Sequence, residues 1–134
     1  MAKAILPLLR KRTLKEAVNI SSPTLGPTTL APNMESPPVA ACKISKAGLI
    51  MLTVPYGQYL HDEHFTIITI SPGYTQTNYP SADLTPDENV KATLDIIFRT
   101  THAETGKFFI IHVPSWEDNP ISSRYDGASV PWCG

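Results

Sequence analysis

The 134-residue chain has little of what would place it in a specialised class of protein. Two cysteines, Cys42 and Cys133, are too few for a disulfide framework, which favours a reducing, intracellular compartment. The formal net charge is −1, so no basic excess predicts nucleic-acid binding and no acidic excess predicts a disordered tail. The apolar runs are far too short to span a bilayer. At the N-terminus the basic cluster follows the apolar segment, the reverse of a secretory signal. We therefore expect a cytoplasmic protein with neither nucleic-acid nor membrane partners.

Proline and apolar residues are well represented. The 42% apolar fraction predicts a globular chain of one domain, residues 1–134, with a modest core. The 13 prolines mark loops at residues 23–38 and 114–131.

The chain is organised around residues 37–64, which predict a helix starting near Pro38. Cys42 and Lys46 are four apart, so their thiol and ammonium should share one face of that helix. Cys42 would lie near the helix N-terminus, where the dipole favours an anion. The alternative to a reactive thiol is that Cys42 is a small packed residue. Pro55 predicts a kink or break near Leu52.

Three apolar segments predict strands. Residues 16–22 (EAVNISS) indicate a buried strand that ends in serines, and residues 65–71 (FTIITIS) indicate a parallel strand covered on both faces. Residues 107–113 (KFFIIHV) are interpreted as the last strand.

Two further segments predict amphipathic helices. Residues 1–12 read as the last turns of a helix, and Thr85, Pro86 and Glu88 form a capping-box start for another. The apolar faces predicted for the two helices comprise Ile5, Leu8 and Leu9 in the first and Val90, Leu94, Ile97 and Phe98 in the second.

Several motifs together resemble the short-chain dehydrogenase/reductase family. C-K-I-S-K-A-G resembles its active-site helix, Tyr-x-x-x-Lys, with Lys46 as the lysine and Cys42 in place of the tyrosine. V-N-I-S-S resembles the strand that delivers the catalytic serine, and Ser22 is the better match. P-G-Y-T-Q-T, starting at Pro72, resembles the P-G-x-x-x-T loop that borders the nicotinamide. The closing Y-D-G-x-x-x-P-W, starting at Tyr125, resembles a fungal-type branch, whereas residues 112–124 match nothing in the family.

The resemblance covers only the C-terminal half of the family's fold. It implies an incomplete Rossmann-like α/β domain, with about three parallel strands and flanking helices. The family's glycine-rich turn, ribose-selecting residue and catalytic asparagine have no counterpart here, so no cofactor and no metal are expected. A sheet edge and an apolar helix face would be left uncovered. We therefore expect a homodimer or higher oligomer, formed through the helix at residues 38–60 and the strand at residues 107–113.

The function implied is that of a cofactor-independent enzyme derived from a reductase. It would act on a small molecule by proton transfer, cyclisation or isomerisation, in keeping with fungal secondary metabolism. Two alternatives stay open, a non-catalytic remnant that binds a ligand or partner and a fragment of an NAD(P)-dependent oxidoreductase. The candidate catalytic residues are Ser22, Cys42 and Lys46, and the candidate substrate-binding residues are Pro72, Gly73, Tyr74 and Thr77.

The missing glycine-rich turn predicts that this chain alone binds neither NADPH nor NADH, because no backbone amides are arranged to accept the pyrophosphate. Calorimetric titration with each nucleotide should show no heat of binding. Micromolar affinity for either nucleotide would contradict this prediction.

Overall fold

A computed structural model describes residues 2–22, 40–78, 80–117 and 125–130. In this part of the chain no helix is long and apolar enough to cross a membrane. Two single-turn 3-10 helices lie at His61–Glu63 and His102–Glu104. The helices and strands are α1 (Ala2–Leu9), β1 (Glu16–Ile20), α2 (Ala40–Tyr59), β2 (Thr66–Ser71), α3 (Pro86–Arg99), β3 (Phe108–Ile110) and β4 (Ser129–Val130).

The strands form one four-stranded sheet in the order β1-β2-β3-β4. The first three strands are parallel, which confirms the predicted Rossmann-like α/β class. The strand predicted at residues 107–113 is shorter than expected and is not the last one, because β4 runs back antiparallel beside it. The Ile110 N–H donates to the Ala128 carbonyl at 3.0 Å. Since β3 has partners on both sides, it is not the free sheet edge.

Strand β2 lies at the centre and is buried on both faces. Side chains alternate along a strand, so Ile68 and Ile70 face one layer while Ile67 and Thr69 face the other. Ile68 and Ile70 pack with Ile96 of α3 in the main hydrophobic cluster. Ile67 belongs to a second cluster with residues of α1 and the end of α2. The sheet is thus covered by α3 on one face and by α1 and α2 on the other.

The prediction was a kink or break near Leu52; helix α2 is continuous through Pro55, so it does not break there. Its predicted start at Pro38 lies outside the described residues. A buried polar network fixes the middle of this helix to the sheet: Thr53 Oγ1 lies 2.6 Å from Thr69 Oγ1 and accepts from Asn19 Nδ2 at 2.9 Å. These contacts bridge α2 to both β1 and β2, and such a network stabilises a helix despite the missing proline donor.

Helix α3 starts as predicted, with Thr85 as N-cap, proline in the first turn and Glu88 closing a capping box. Its predicted apolar face is wrong, because Val90, Leu94 and Phe98 are 54%, 40% and 81% exposed. The buried residues are Asn89 and Ile96, and Ile97 packs only in part on the core.

In helix α1, too, the face that packs on the core differs from the predicted apolar face. Ile5 and Leu8 are exposed, whereas Leu6 and Leu9 pack against the second cluster. Just beyond the helix, the Arg10 guanidinium donates two hydrogen bonds to the Glu63 carboxylate, at 2.7 and 2.6 Å. This ion pair fixes the helix end next to the first 3-10 turn.

Strand β1 is half-buried rather than buried as predicted, because it forms a sheet edge. Among the described residues only β2 pairs with it. At the start of β1, Glu16 Oε1 is buried and has no hydrogen-bond partner within the part of the chain that the structure describes, and this burial raises the pKa of the Glu16 carboxyl group.

This raised pKa generates a pH-dependent prediction. A carboxyl whose folded pKa exceeds its unfolded value destabilises the fold as the pH rises through that interval. Glu16→Gln should therefore raise the thermal midpoint at pH 7 and have less effect at about pH 4, near the unfolded carboxyl pKa. Melting curves at both pH values measure this.

The matched control is Glu63→Gln. Hydrogen bonding to Arg10 lowers the pKa of Glu63, so that carboxylate stabilises the fold above its unfolded pKa and loses this effect in acid. Glu63→Gln should accordingly lower the midpoint at pH 7. A Glu16→Gln effect that is the same at both pH values would contradict the assignment.

Candidate functional site

The carboxyl ends of β1 and β2 lie side by side because the two strands are parallel. The Ser21 N–H donates to the Ile70 carbonyl at 2.8 Å, which extends the pairing one residue beyond β1. Ser22 follows on one strand, and Pro72 and Gly73 follow on the other. In α/β folds, ligands bind at the carboxyl ends of the strands.

Lys46 lies against the end of β1. Its ammonium donates to the Ile20 carbonyl at 2.8 Å, and its own carbonyl accepts from the Ser21 hydroxyl at 3.2 Å. These two bonds join α2 to the strand that carries the serines. Ser21 is buried and has this structural contact, while Ser22 is half-buried at the strand end.

Cys42 lies in the first turn of α2 with its side chain exposed. The packed-residue interpretation of this thiol is therefore wrong. The backbone carbonyl of Cys42 accepts a hydrogen bond from the Ser45 hydroxyl at 2.8 Å. The Lys46 ammonium donates to the Ile20 carbonyl. The pairing of the Cys42 thiol with this ammonium stays a prediction.

The loop after β2 requires glycine at position 73. Gly73 has a φ of 78°, a left-handed conformation, and a Cβ there would clash with the ring of Tyr125. Tyr125 is fully buried. Its hydroxyl donates to the Asp83 carboxylate at 2.7 Å and accepts from the Tyr74 N–H at 3.1 Å. The Tyr125 ring thus supports this loop from beneath.

Asn89 ties the same loop to α3. Its side-chain amide donates to the Pro72 carbonyl and, at 2.6 Å, to the Thr75 hydroxyl. Asn89 is buried one turn into the helix. Its contacts explain the orientation of α3, because they turn the Asn89–Ile96 face, rather than the Val90–Phe98 face, toward the sheet.

The four predicted substrate-binding residues of this loop differ in exposure. Tyr74 and Thr77 are exposed, and Pro72 and Gly73 are half-buried. The loop is supported by Asn89, Asp83 and Tyr125, a role that the sequence motifs did not predict for them. A polar residue one turn after a capping box, in a helix that must bury one face, was the available signal for Asn89.

An open apolar groove of about 590 Å³ lies between α1, α2 and the sheet, where it is lined by residues of both β1 and β2. Ser22, Cys42 and Lys46 are not among its lining residues. The lining includes Leu6 and Leu9 from α1, Ala17 and Val18 from β1, and Leu49, Leu52 and Tyr56 from α2.

No family model matches the chain. A curated relative, the C-signal protein of Myxococcus xanthus, is 28% identical over 134 residues, covering 98% of this chain and 70% of that protein. The chain is related to the short-chain dehydrogenase/reductase family. The predicted resemblance to that family is thereby confirmed.

Two solved structures share the fold of this chain. The carbonyl reductase Sniffer of D. melanogaster superimposes with a TM-score of 0.74 at 23% identity over 98% of this chain. The NADPH-bound carbonyl reductase from chicken fatty liver gives a TM-score of 0.70 at 23% identity over 81% of this chain. The chain spans only 51% and 48% of these two proteins.

The two hydrogen bonds donated by Asn89 predict that Asn89→Ala loosens the loop at residues 72–84. Loss of a buried donor leaves its acceptors unsatisfied, which should lower the free energy of unfolding by about 1–3 kcal/mol. Hydrogen exchange should become faster at Gln76 and Leu84, whose amides bond within this loop. The control, Lys91→Ala on the exposed side of α3, should change stability by less than about 0.5 kcal/mol. Equal effects of the two substitutions would contradict the assigned role of Asn89.

Proposed function

We propose that this chain provides the substrate-binding half of a reductase-type domain, and that a nucleotide-binding half docks on the free edge of β1. The observation that carries this proposal is the arrangement of the parallel strands. Their carboxyl ends bring the segments of Ser22, Lys46 and the Pro72–Gly73 turn together, while the opposite edge of β1 lacks a partner among the described residues.

The backbone of β1 supports docking by strand addition. In a parallel pair, alternate residues direct their N–H and C=O groups to the same neighbour. The Lys15 carbonyl and the Ser21 N–H bond to β2, so the odd-numbered residues face β2 and the even-numbered ones face outward. Of the outward groups, the Ile20 carbonyl already accepts from Lys46. The outward groups of Glu16 and Val18 are the ones a further strand would pair with.

The apolar groove supports the same occupant. Its lining includes Ala17, Val18 and Asn19 of the edge strand β1 as well as residues of α1 and α2. Covering apolar surface contributes roughly 25 cal/mol per Å². A strand that continues into a helix would cover the edge and the groove together. The unpartnered carboxylate oxygen of Glu16 would gain a donor from the same docked unit.

The chemistry follows from the residues at the strand ends. One solved relative is a carbonyl reductase with NADPH bound, and reduction of a carbonyl requires a proton donor as well as a hydride. Cys42 stands where the related active-site helix has tyrosine. A thiol is a weak hydrogen-bond donor and shorter than a phenol, so we propose that the complete domain binds ligand and nucleotide but reduces carbonyls slowly.

The exposed thiol of Cys42 supports a second candidate function. Cofactor-independent chemistry with Cys42 as nucleophile and Lys46 as cation would need no second half.

A chimera distinguishes these two functions. The half of the chicken carbonyl reductase that this chain does not match is joined ahead of Met1, and NADPH binding is followed by fluorescence. The chimera should bind NADPH and reduce an aromatic aldehyde slowly. Cys42→Tyr in the chimera should accelerate reduction by about 10²-fold or more, the range of general-acid catalysis.

The matched control is Ile44→Tyr, which places a phenol on an exposed position of the same helix. This variant should leave the rate of aldehyde reduction unchanged. Lys46→Met in the Cys42→Tyr chimera should remove the acceleration. A folded chimera that binds no NADPH, or a Cys42→Tyr chimera no faster than its parent, would overturn the proposed function.

A further inference from the structure

Helix α3 carries an apolar stripe on the side that faces away from the sheet. Val90, Leu94 and Phe98 follow one another at intervals of four residues, so they lie on one face of the helix. All three are exposed, and Phe98 is 81% exposed. Single exposed apolar residues are ordinary on a protein surface, whereas a continuous stripe that ends in a phenylalanine is typical of an interaction surface.

The orientation of α3 is fixed by contacts on its other side. Asn89 donates to the Pro72 carbonyl and to the Thr75 hydroxyl, and Ile96 is 1% exposed in the main hydrophobic cluster. Turning the stripe toward the sheet would break these hydrogen bonds and expose Ile96. Any cover for the stripe therefore comes from beyond this pair of helix and sheet layers.

Two opposite charges flank the stripe along one edge. Lys91 and Asp95 are both exposed and four residues apart, so they lie on the same side of the helix. Asp95 Oδ2 lies 3.5 Å from Arg99 Nε, and a carboxylate can accept from a second cation as well. An edge with one charge of each sign is complementary to the same edge of a second helix that runs in the opposite direction.

An antiparallel pair of α3 helices brings these charges into register. Residues advance 1.5 Å along a helix, so a two-fold axis at the level of Thr93 sets Lys91 of each copy level with Asp95 of the other. In the same register Leu94, Val90 of the other copy and Phe98 lie about 1.5, 4.5 and 7.5 Å from that level. Apolar side chains thus alternate between the two copies and interdigitate, as packed helix surfaces require.

We propose that a second copy of this chain docks on α3 through this two-fold, antiparallel pairing of the apolar stripe. The stripe supplies the affinity, and the two exposed Lys91–Asp95 pairs, which contribute little energy, set direction and register. Three side chains supply less than the roughly 800 Å² per partner of a standard interface, so the dimer forms at micromolar rather than nanomolar concentration. The interface uses neither the helix at residues 38–60 nor the strand at residues 107–113, and it leaves the edge of β1 free.

The test is sedimentation equilibrium of the full chain and of two charge-reversed variants, Lys91→Glu and Asp95→Lys, at low salt. Each variant alone sets like charges opposite each other twice in the dimer, which should raise the dissociation constant by at least about threefold. In an equimolar mixture of the two variants every rim pair again joins opposite charges. The mixed dimer should therefore form with about the affinity of the parent.

The variant Phe98→Ser tests the stripe itself and should weaken dimerisation by about tenfold or more. The matched control is Ile44→Ser, which removes a residue that is 73% exposed on α2. It should leave the dissociation constant within about twofold of the parent. Circular dichroism establishes that each variant is folded.

Three outcomes would overturn the proposal. The first is a parent chain that stays monomeric at millimolar concentration. The second is equal weakening of the dimer by Phe98→Ser and Ile44→Ser, or weakening by Ile44→Ser alone, which would assign the interface to α2. The third is a mixture of the two charge-reversed variants that dimerises no better than either variant alone.

Discussion

The hydrogen bonds of β2, to β1 on one side and to β3 on the other, hold together the segments from which the candidate site is built. This strand is buried on both faces, and its alternating side chains divide the core into two clusters. The parallel pairing with β1 places the carboxyl ends of the two strands side by side. The serines and the Pro72–Gly73 turn are neighbours for that reason, although about 50 residues separate them in sequence.

Three polar ties then fix what surrounds those strand ends. Thr53 joins the middle of α2 to the sheet, Lys46 joins the first half of α2 to the end of β1, and Asn89 joins α3 to the loop after β2. Each of these contacts involves a backbone carbonyl or a buried hydroxyl. Unsatisfied buried polar groups are costly, so these contacts select one orientation for each helix.

The free edge of β1 gives the candidate site its distinctive character. The serine and lysine segments lie at the end of a strand whose other side has no partner in the described chain. A site built on such a strand depends on whatever covers that edge, because strand pairing restrains the backbone that carries the serines. Relatedness to the short-chain dehydrogenase/reductase family and a span of about half of the solved reductases are consistent with the docking that we propose.

The sequence by itself determined the element types that depend on local chemistry. The Thr85 capping box and the β-branched run of β2 predicted a helix start and a central parallel strand, because caps and strand propensity act over a few residues. The C-K-I-S-K-A-G and P-G-Y-T-Q-T motifs predicted the family. Helix faces were predicted less well, since Val90, Leu94 and Phe98 look apolar in sequence yet face outward.

Only the tertiary structure decided which of several apolar faces is buried and which strand forms an edge. Asn89 turns α3 through bonds to a loop that precedes it by more than ten residues, and β4 covers β3 from the far end of the chain. Helix α2 continues through Pro55 because contacts to two strands offset the lost backbone bond. These outcomes depend on contacts between residues distant in sequence, and local patterns carry no information about such contacts.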